Sequence, residues 1–474
     1  MSKKIICRLR YILLAMAVGI VAVQVVYAAV WAILNGNNIQ DFYDTAIYLR
    51  SAQSFTSDGW RLAGYACILR LFMGIKGVLG DYYVLPLYLM QLACSTVSFA
   101  YAIKIMAKVF WDRICTWKVA MAGATYLVTL PVVWQMQFAV LPDAFCLALL
   151  VLLFSQILLL LFEKEEMKWE RLWIVTGALL LLGVMHHHYF YGGVCLVVIA
   201  IIGLFMKQVF RKYRSKAGIT ITVGLAIVLL LTCGICFGVN ASIPQEETYA
   251  KHTFAAELWS RFVYPHGLED FASYPEEVRN VIASEVSMTG KEPYEYYMTD
   301  LMPALENGLN EDATHYVGEM AKQSFLSHRN EAIKSFIKEG VAYAFMPVAV
   351  VKYMYQNGGS LYGHNLIKMW EKSPKLTTDY MHICMNGFLM MCGLGSILFL
   401  SAVVAKEIKI RQGIKVVLAA GLSIVGVTLP IMLFAFEKFD YRVGLFSVFV
   451  WGASVVSLMI GKEWRKKDEC RCIE

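Results

Sequence analysis

The sequence predicts an all-α integral membrane protein with about ten transmembrane helices and a mainly helical insertion on the extracytoplasmic side. Of its 474 residues, 58% are hydrophobic and 17% are charged, whereas soluble domains carry about 45–50% and about 25%. The apolar residues gather in blocks of about 18–25, the length that spans a hydrocarbon core of about 30 Å. Although the net charge is +7, the basic residues form short clusters between these blocks. That pattern is typical of topology signals and excludes nucleic acid as the expected partner.

The apolar blocks predict the individual membrane helices. The first block follows a basic N-terminal stretch and is long, which favours an uncleaved first helix over a signal peptide. The fifth and sixth blocks are short and meet at His186–His188, which predicts a tight hairpin there. The ten predicted spans are 11–34, 82–103, 118–136, 141–162, 172–186, 189–206, 217–239, 381–404, 414–435 and 442–461.

The distribution of basic residues orients these helices. With the N-terminus inside, the inside segments hold 25 Lys and Arg residues and the short outside segments hold five. Basic residues are enriched in cytoplasmic loops, so both termini are predicted to be cytoplasmic. Residues 241–380 then lie outside, and they contain no cysteine. A disulfide-free exterior fits a bacterial cell membrane better than a eukaryotic secretory compartment.

Three stretches of chain follow from this topology. Residues 1–240 form a transmembrane region of about seven helices, with a first outer loop at 35–81. Residues 241–380 form an extracytoplasmic, mostly helical loop domain. Residues 381–474 form three C-terminal transmembrane helices and a cytoplasmic tail.

Ionisable residues concentrate near the predicted outer helix ends, where they are costly and by default indicate function. In the first outer loop, a helical segment would place Asp44, Tyr48 and Ala52 on one face. A carboxylate there could accept a proton from an incoming hydroxyl. The alternative is an aspartate that simply caps the helix.

Three segments carry a family resemblance. Asp44–Ala52 followed by Gly64-Tyr65, directly after a first membrane helix, resembles the first outer loop of GT-C type glycosyltransferases. The similarity is to glycosyltransferase family 39, the bacterial branch related to protein O-mannosyltransferases and lipid A aminoarabinose transferases. Leu141–Asp143 before a leucine run resembles that family's fourth-helix entry, and Phe436–Arg442 resembles its late turn before a final helix. The resemblance covers mainly residues 1–240 and that turn.

The resemblance implies a GT-C-like fold and an inverting transfer of a sugar from a polyprenyl-phosphate donor. The acceptor would be an envelope glycan, lipid or protein at the outer face. Asp44 matches the family's presumed base, and Asp41 could supply a second carboxylate, because Thr45 stands where the protein O-mannosyltransferases have Glu. No cofactor is expected, since the donor arrives on lipid. A divalent metal is possible but not indicated, because no zinc-type spacing of Cys and His occurs.

A leaving lipid phosphate needs cations or hydrogen-bond donors, which predicts the substrate-binding residues. Each candidate also has a purely structural alternative: turn solvation or backbone hydrogen bonding for the histidines, helix capping for Asp143, membrane anchoring or pairing with Asp440 for Arg442, and a salt bridge for Glu437. The substrate-binding candidates are Arg61, Asp143, His186, His187, His188, Glu437, Tyr441 and Arg442.

Two other functions remain open at this point. A transporter or flippase for an envelope lipid should show paired halves or helices broken at mid-membrane, and the sequence shows no repeat. A non-catalytic relative that binds polyprenyl lipids is kept open by Thr45 in place of the second acid.

Overall fold

The structure is a computed structural model, and every structural statement below concerns the residues that it describes. These are residues 3–35, 43–56, 62–162, 169–209, 216–243, 255–256, 258–263, 275–285, 296–309, 314–345, 360–361, 364–365, 374–405, 409–434 and 441–459.

The first half of the chain is helical in all its described elements. A 3-10 turn at Gly80–Tyr83 links the fourth and fifth helices. The helices are α1 (Lys3–Asn35), α2 (Tyr43–Ser54), α3 (Ala63–Met73), α4 (Lys76–Leu79), α5 (Val84–Trp111), α6 (Trp117–Val128), α7 (Pro131–Gln137), α8 (Asp143–Phe162), α9 (Glu170–Met185), α10 (His187–Val209) and α11 (Lys216–Ser242).

The second half adds seven helices, two π-helical turns at Trp259–Val263 and Tyr297–Leu301, and a two-stranded antiparallel pair. In that pair, β1 (Ser360–Leu361) lies against β2 (His364–Asn365). The helices are α12 (Glu276–Glu285), α13 (Met302–Leu309), α14 (Thr314–Ser327), α15 (Arg329–Phe345), α16 (Pro374–Val404), α17 (Ile410–Phe434) and α18 (Tyr441–Met459).

Six described helices are long and apolar enough to cross a membrane, which confirms an all-α, multi-pass membrane protein in contact with a lipid bilayer. These segments are Arg8–Leu34, Val84–Trp111, Asp143–Phe162, His187–Val209, Gly218–Ser242 and Thr378–Val404. Helix α9 has 16 residues, α17 has 25 and α18 has 19. The total of ten spans stays a prediction.

The third predicted span is not one continuous helix, so that prediction is wrong in detail. Helix α6 ends at Val128 and α7 begins at Pro131. Proline lacks a backbone N–H and disfavours the helical conformation of the residue before it. Leu130 accordingly adopts an extended ψ of 135°. The chain therefore breaks inside an apolar run that hydropathy alone treats as uniform.

Side chains from two distant helices satisfy the broken end of α6. The Gln24 Nε2 atom of α1 donates to the Tyr126 carbonyl at 2.8 Å and to the Thr129 hydroxyl at 2.9 Å. The Tyr380 hydroxyl of α16 donates to the Thr129 carbonyl. Helix ends leave carbonyls without intrahelical partners, and burial without partners would be costly. The break is thus a stable part of the bundle.

The predicted hairpin at the histidines is present. His186 alone separates α9 from α10, and its backbone is extended with φ −160° and ψ 118°. The two helices pack side by side. A Cβ on Gly193 would lie 3.1 Å from side-chain atoms of both Leu179 and Leu182. Positions on either side of His186 therefore face each other, as in an antiparallel pair.

The core of the bundle lies between helices from both ends of the chain. Helix α5 packs against α3, α6, α8 and α18, while α1 packs against α16 and α10 packs against α17. Helix α8 is the most buried of the six candidate spans. The three last helices are thus interleaved with the first eleven.

The region between α11 and α16 has a hydrophobic core of its own. The two π-helical turns meet there, with the Trp259 and Tyr297 rings 6.3 Å apart. Leu305 and Val317 belong to the same buried cluster. Helix α15 connects this region to the rest of the helix bundle, because it packs against α17 and α18.

Candidate functional site

Helix α2 presents a buried face at the predicted position of the base. Asp44 is the second residue of this helix, although the structure describes its backbone and not its side chain. The next residues on that side, Thr45, Tyr48 and Ala52, are buried. Helix α2 packs against α3. The predicted shared face of Tyr48 and Ala52 therefore exists and is directed into the protein.

Tyr65 of α3 connects α2 to the membrane bundle. Its ring meets Tyr48 edge to face at 5.2 Å and lies 6.3 Å from the Phe145 ring of α8. Its side chain is 0% exposed. Burial raises the pKa of the Tyr65 hydroxyl well above its ordinary value, and the nearby Tyr88 and Asp143 raise it further. The phenol therefore stays protonated and acts as a hydrogen-bond donor.

Gln91 of α5 receives that hydrogen bond and holds the turn between α7 and α8. The Tyr65 hydroxyl donates to the Gln91 Oε1 atom at 3.2 Å. The Gln91 Nε2 atom lies 3.2, 2.9 and 3.1 Å from the carbonyl oxygens of Met136, Gln137 and Ala139. This one side chain thus fixes both α3 and the segment that leads into Asp143.

Two further side chains attach to the same turn. The Ser95 hydroxyl of α5 donates to the Gln137 Oε1 atom at 3.1 Å. The Thr45 hydroxyl of α2 donates to the Val140 carbonyl at 3.5 Å. Helix α2 is therefore held against the entry to α8 in two ways, directly by the Thr45 hydrogen bond and indirectly through Tyr65.

Asp143 is the first residue of α8 and is 1% exposed. It accepts a hydrogen bond of 3.0 Å from the Tyr189 hydroxyl of α10 to its Oδ1 atom. The N-terminus of a helix favours a negative charge, so this position suits a carboxylate. Glycine at position 64 lets α3 approach α9 closely, because a Cβ there would lie 2.5 Å from the Val184 carbonyl.

The three histidines cluster beside this pair. His186 and His188 are buried, so the alternative of a solvated turn is wrong for both. The ring of His187 lies 4.3 Å from that of His188. The His186 ring meets Tyr189 edge to face at 5.5 Å. Among the described residues no group of three or more His, Cys, Asp or Glu side chains is placed to hold a metal ion.

The structure brings three predicted site segments together: the α2 face, Asp143 and the histidine triplet. Asp41, Arg61 and Glu437 lie outside the described residues. Tyr441 and Arg442 open α18, but their side chains are not described.

Several members of the cluster were not singled out by the sequence. Gln91 and Tyr189 join the predicted segments, and each is a polar residue in or beside an apolar block. That signal could have found them. The cluster offers a carboxylate, which can accept hydrogen bonds from sugar hydroxyls, and phenols and imidazoles, which can donate hydrogen bonds to phosphate or sugar oxygens.

Comparison with protein-family models, with curated proteins and with solved structures gives no match to this chain.

Proposed function

We propose that the chain is an inverting, GT-C type glycosyltransferase of a bacterial cell membrane with cytoplasmic termini. It moves a sugar from a polyprenyl-phosphate donor to an envelope glycan, lipid or protein at the extracytoplasmic face. It uses no cofactor. The supporting observation is that Tyr48 packs on Tyr65 and Tyr65 packs on Phe145, two residues after Asp143, which accepts a hydrogen bond from Tyr189. These contacts link helix α2, the start of α8 and the start of α10, the three segments in which the sequence placed the chemistry.

In the proposed reaction, the Asp44 carboxylate accepts the proton of the acceptor hydroxyl. The acceptor oxygen then forms a bond to the anomeric carbon from the side opposite the phosphate. The bond from that carbon to the phosphate oxygen breaks, and polyprenyl phosphate leaves with the electron pair. Asp41 is the second acid, and Arg61 and Arg442 neutralise the leaving phosphate.

The buried cluster has a different part in this proposal. The histidines donate hydrogen bonds to the sugar or phosphate. Tyr189 orients Asp143, whose carboxylate can accept from sugar hydroxyls. Glu437 and Tyr441 complete the substrate contacts at the start of α18.

The test is a single-turnover assay of the purified protein in lipid, with radiolabelled polyprenyl-phosphate sugars as donors. Asp44→Asn is expected to slow transfer by about 100-fold or more, the scale of a lost general base. Glu319→Gln, which changes an exposed carboxylate on α14, is the matched control and retains activity. Equal turnover of Asp44→Asn and wild type would show that Asp44 is not the base, and Asp41 would be the next residue to replace.

One observation favours a second candidate, a transporter or flippase for the same lipid. Transporters bind substrate at discontinuous membrane helices, and the break between α6 and α7 is such a discontinuity. Movement of labelled lipid between leaflets of proteoliposomes, without release or transfer of sugar, would establish this alternative. Lipid binding with neither movement nor transfer would indicate a non-catalytic relative.

A further inference from the structure

Helix α15 has an exposed apolar face. Ile333 is 40% exposed and Ile337 is 58% exposed. Because residues four apart lie on the same side of a helix, these two side chains form one surface. Phe336, which is partly buried, packs instead against the hydrophobic core of the bundle. The helix therefore contacts the bundle on one side and leaves a neighbouring apolar surface uncovered.

The surroundings of this face match a lipid surface. Helix α15 packs against α17 and α18, which in turn pack against the candidate membrane spans α10 and α5. Contiguous apolar surface beside a membrane region marks contact with the bilayer more readily than contact with water.

The charges on α15 complement lipid phosphates. Lys334 and Lys338 are exposed and follow the two isoleucines by one residue each. At about 100° per residue, both lysines lie on the same side of the apolar face. Lysine stems can lie along hydrocarbon while their ammonium groups reach phosphate oxygens. Glu331 lies about 160° from Ile333 around the helix, on the side of the lysines and away from the isoleucines, and its carboxylate lies 3.8 Å from the His328 Nδ1 atom.

We propose that residues 329–338 of α15 form an interfacial helix that binds the phospholipid headgroups of the adjoining leaflet. Ile333 and Ile337 enter the boundary of the acyl chains, and Lys334 and Lys338 bind lipid phosphates, with a preference for anionic lipids. This assignment is independent of whether the chain transfers or transports a sugar.

Photo-crosslinking in nanodiscs tests the orientation. The full-length protein carries benzoylphenylalanine at position 337 or, as the matched control, at position 331 of the same helix. Lipid adducts, detected by mass spectrometry, are expected to be at least about fivefold more abundant at position 337. Equal adducts at both positions, none at position 337, or crosslinks to a second copy of the chain would overturn the proposal.

A second experiment tests the lysines. In nanodiscs that mix phosphatidylcholine and phosphatidylglycerol, adducts at position 337 are expected to be enriched in phosphatidylglycerol. Each cation near an anionic surface contributes about a fivefold preference. Lys334→Gln with Lys338→Gln should abolish the enrichment. Lys322→Gln, which removes an exposed and ion-paired lysine of α14, should preserve it. Enrichment that survives the double substitution would refute the role of the lysines.

Discussion

Replacing Gln91 by leucine should destabilise the bundle strongly, because this side chain closes the turn before α8. Its Nε2 atom has two hydrogens and three carbonyl acceptors within 3.2 Å, and its Oε1 atom accepts from Tyr65. Leucine is close in size and leaves little cavity, so the loss is three hydrogen bonds. At about 1 kcal/mol each, the free energy of unfolding should fall by about 3 kcal/mol, and by more where carbonyls stay buried.

The matched control is Gln156→Leu in α8. Gln156 is as deeply buried as Gln91, and its Nε2 atom makes one hydrogen bond of 3.0 Å, to the Tyr101 hydroxyl. Its loss should therefore cost about 1 kcal/mol. Both variants are compared by equilibrium unfolding in mixed detergent micelles, followed by tryptophan fluorescence. A Gln91→Leu protein as stable as Gln156→Leu would refute the view that Gln91 fixes the turn.

Two further sets of substitutions test other contacts, and one labelling experiment tests the topology. Gly64→Ala should lower the unfolding free energy by about 1–3 kcal/mol, because its Cβ would lie 2.5 Å from an α9 carbonyl. Gly77→Ala, with nothing within 4 Å, should stay within about 1 kcal/mol of wild type in the same denaturation series. A double-mutant cycle of Tyr189→Phe and Asp143→Ala should give a coupling of about 1 kcal/mol, and strictly additive effects would contradict their hydrogen bond. Cys67 is exposed on α3, so a membrane-impermeant maleimide should label it, by peptide mapping, in right-side-out vesicles and not in sealed inside-out vesicles. The reverse pattern would invert the topology.

Local patterns in the sequence predicted the features that depend on local composition. Apolar blocks of sufficient length predicted the six helices that are long and apolar enough to cross a membrane, and two short blocks meeting at His186 predicted the hairpin. The spacing of Tyr48 and Ala52 predicted their shared face, which is buried against α3. Each of these follows from residues within a few helical turns of one another.

Contacts between distant residues could not be predicted in this way. Asp143 and Tyr189 are separated by 46 positions, and no local periodicity pairs them. The break before Pro131 carries a visible signal, yet averaging over an apolar window hides it. The residues that stabilise the break lie about a hundred positions before it, at Gln24, and 251 positions after it, at Tyr380.

The same helix break imposes an order on biosynthesis. Helix α6 has 12 residues, which at 1.5 Å each is about 18 Å, well short of a hydrocarbon core of about 30 Å. While the ribosome is still translating the following 251 residues, the Thr129 carbonyl lacks its donor from Tyr380. We therefore expect the end of α6 to lack this hydrogen bond until α16 is inserted, so that the packing of the first eleven helices is completed only by the C-terminal helices.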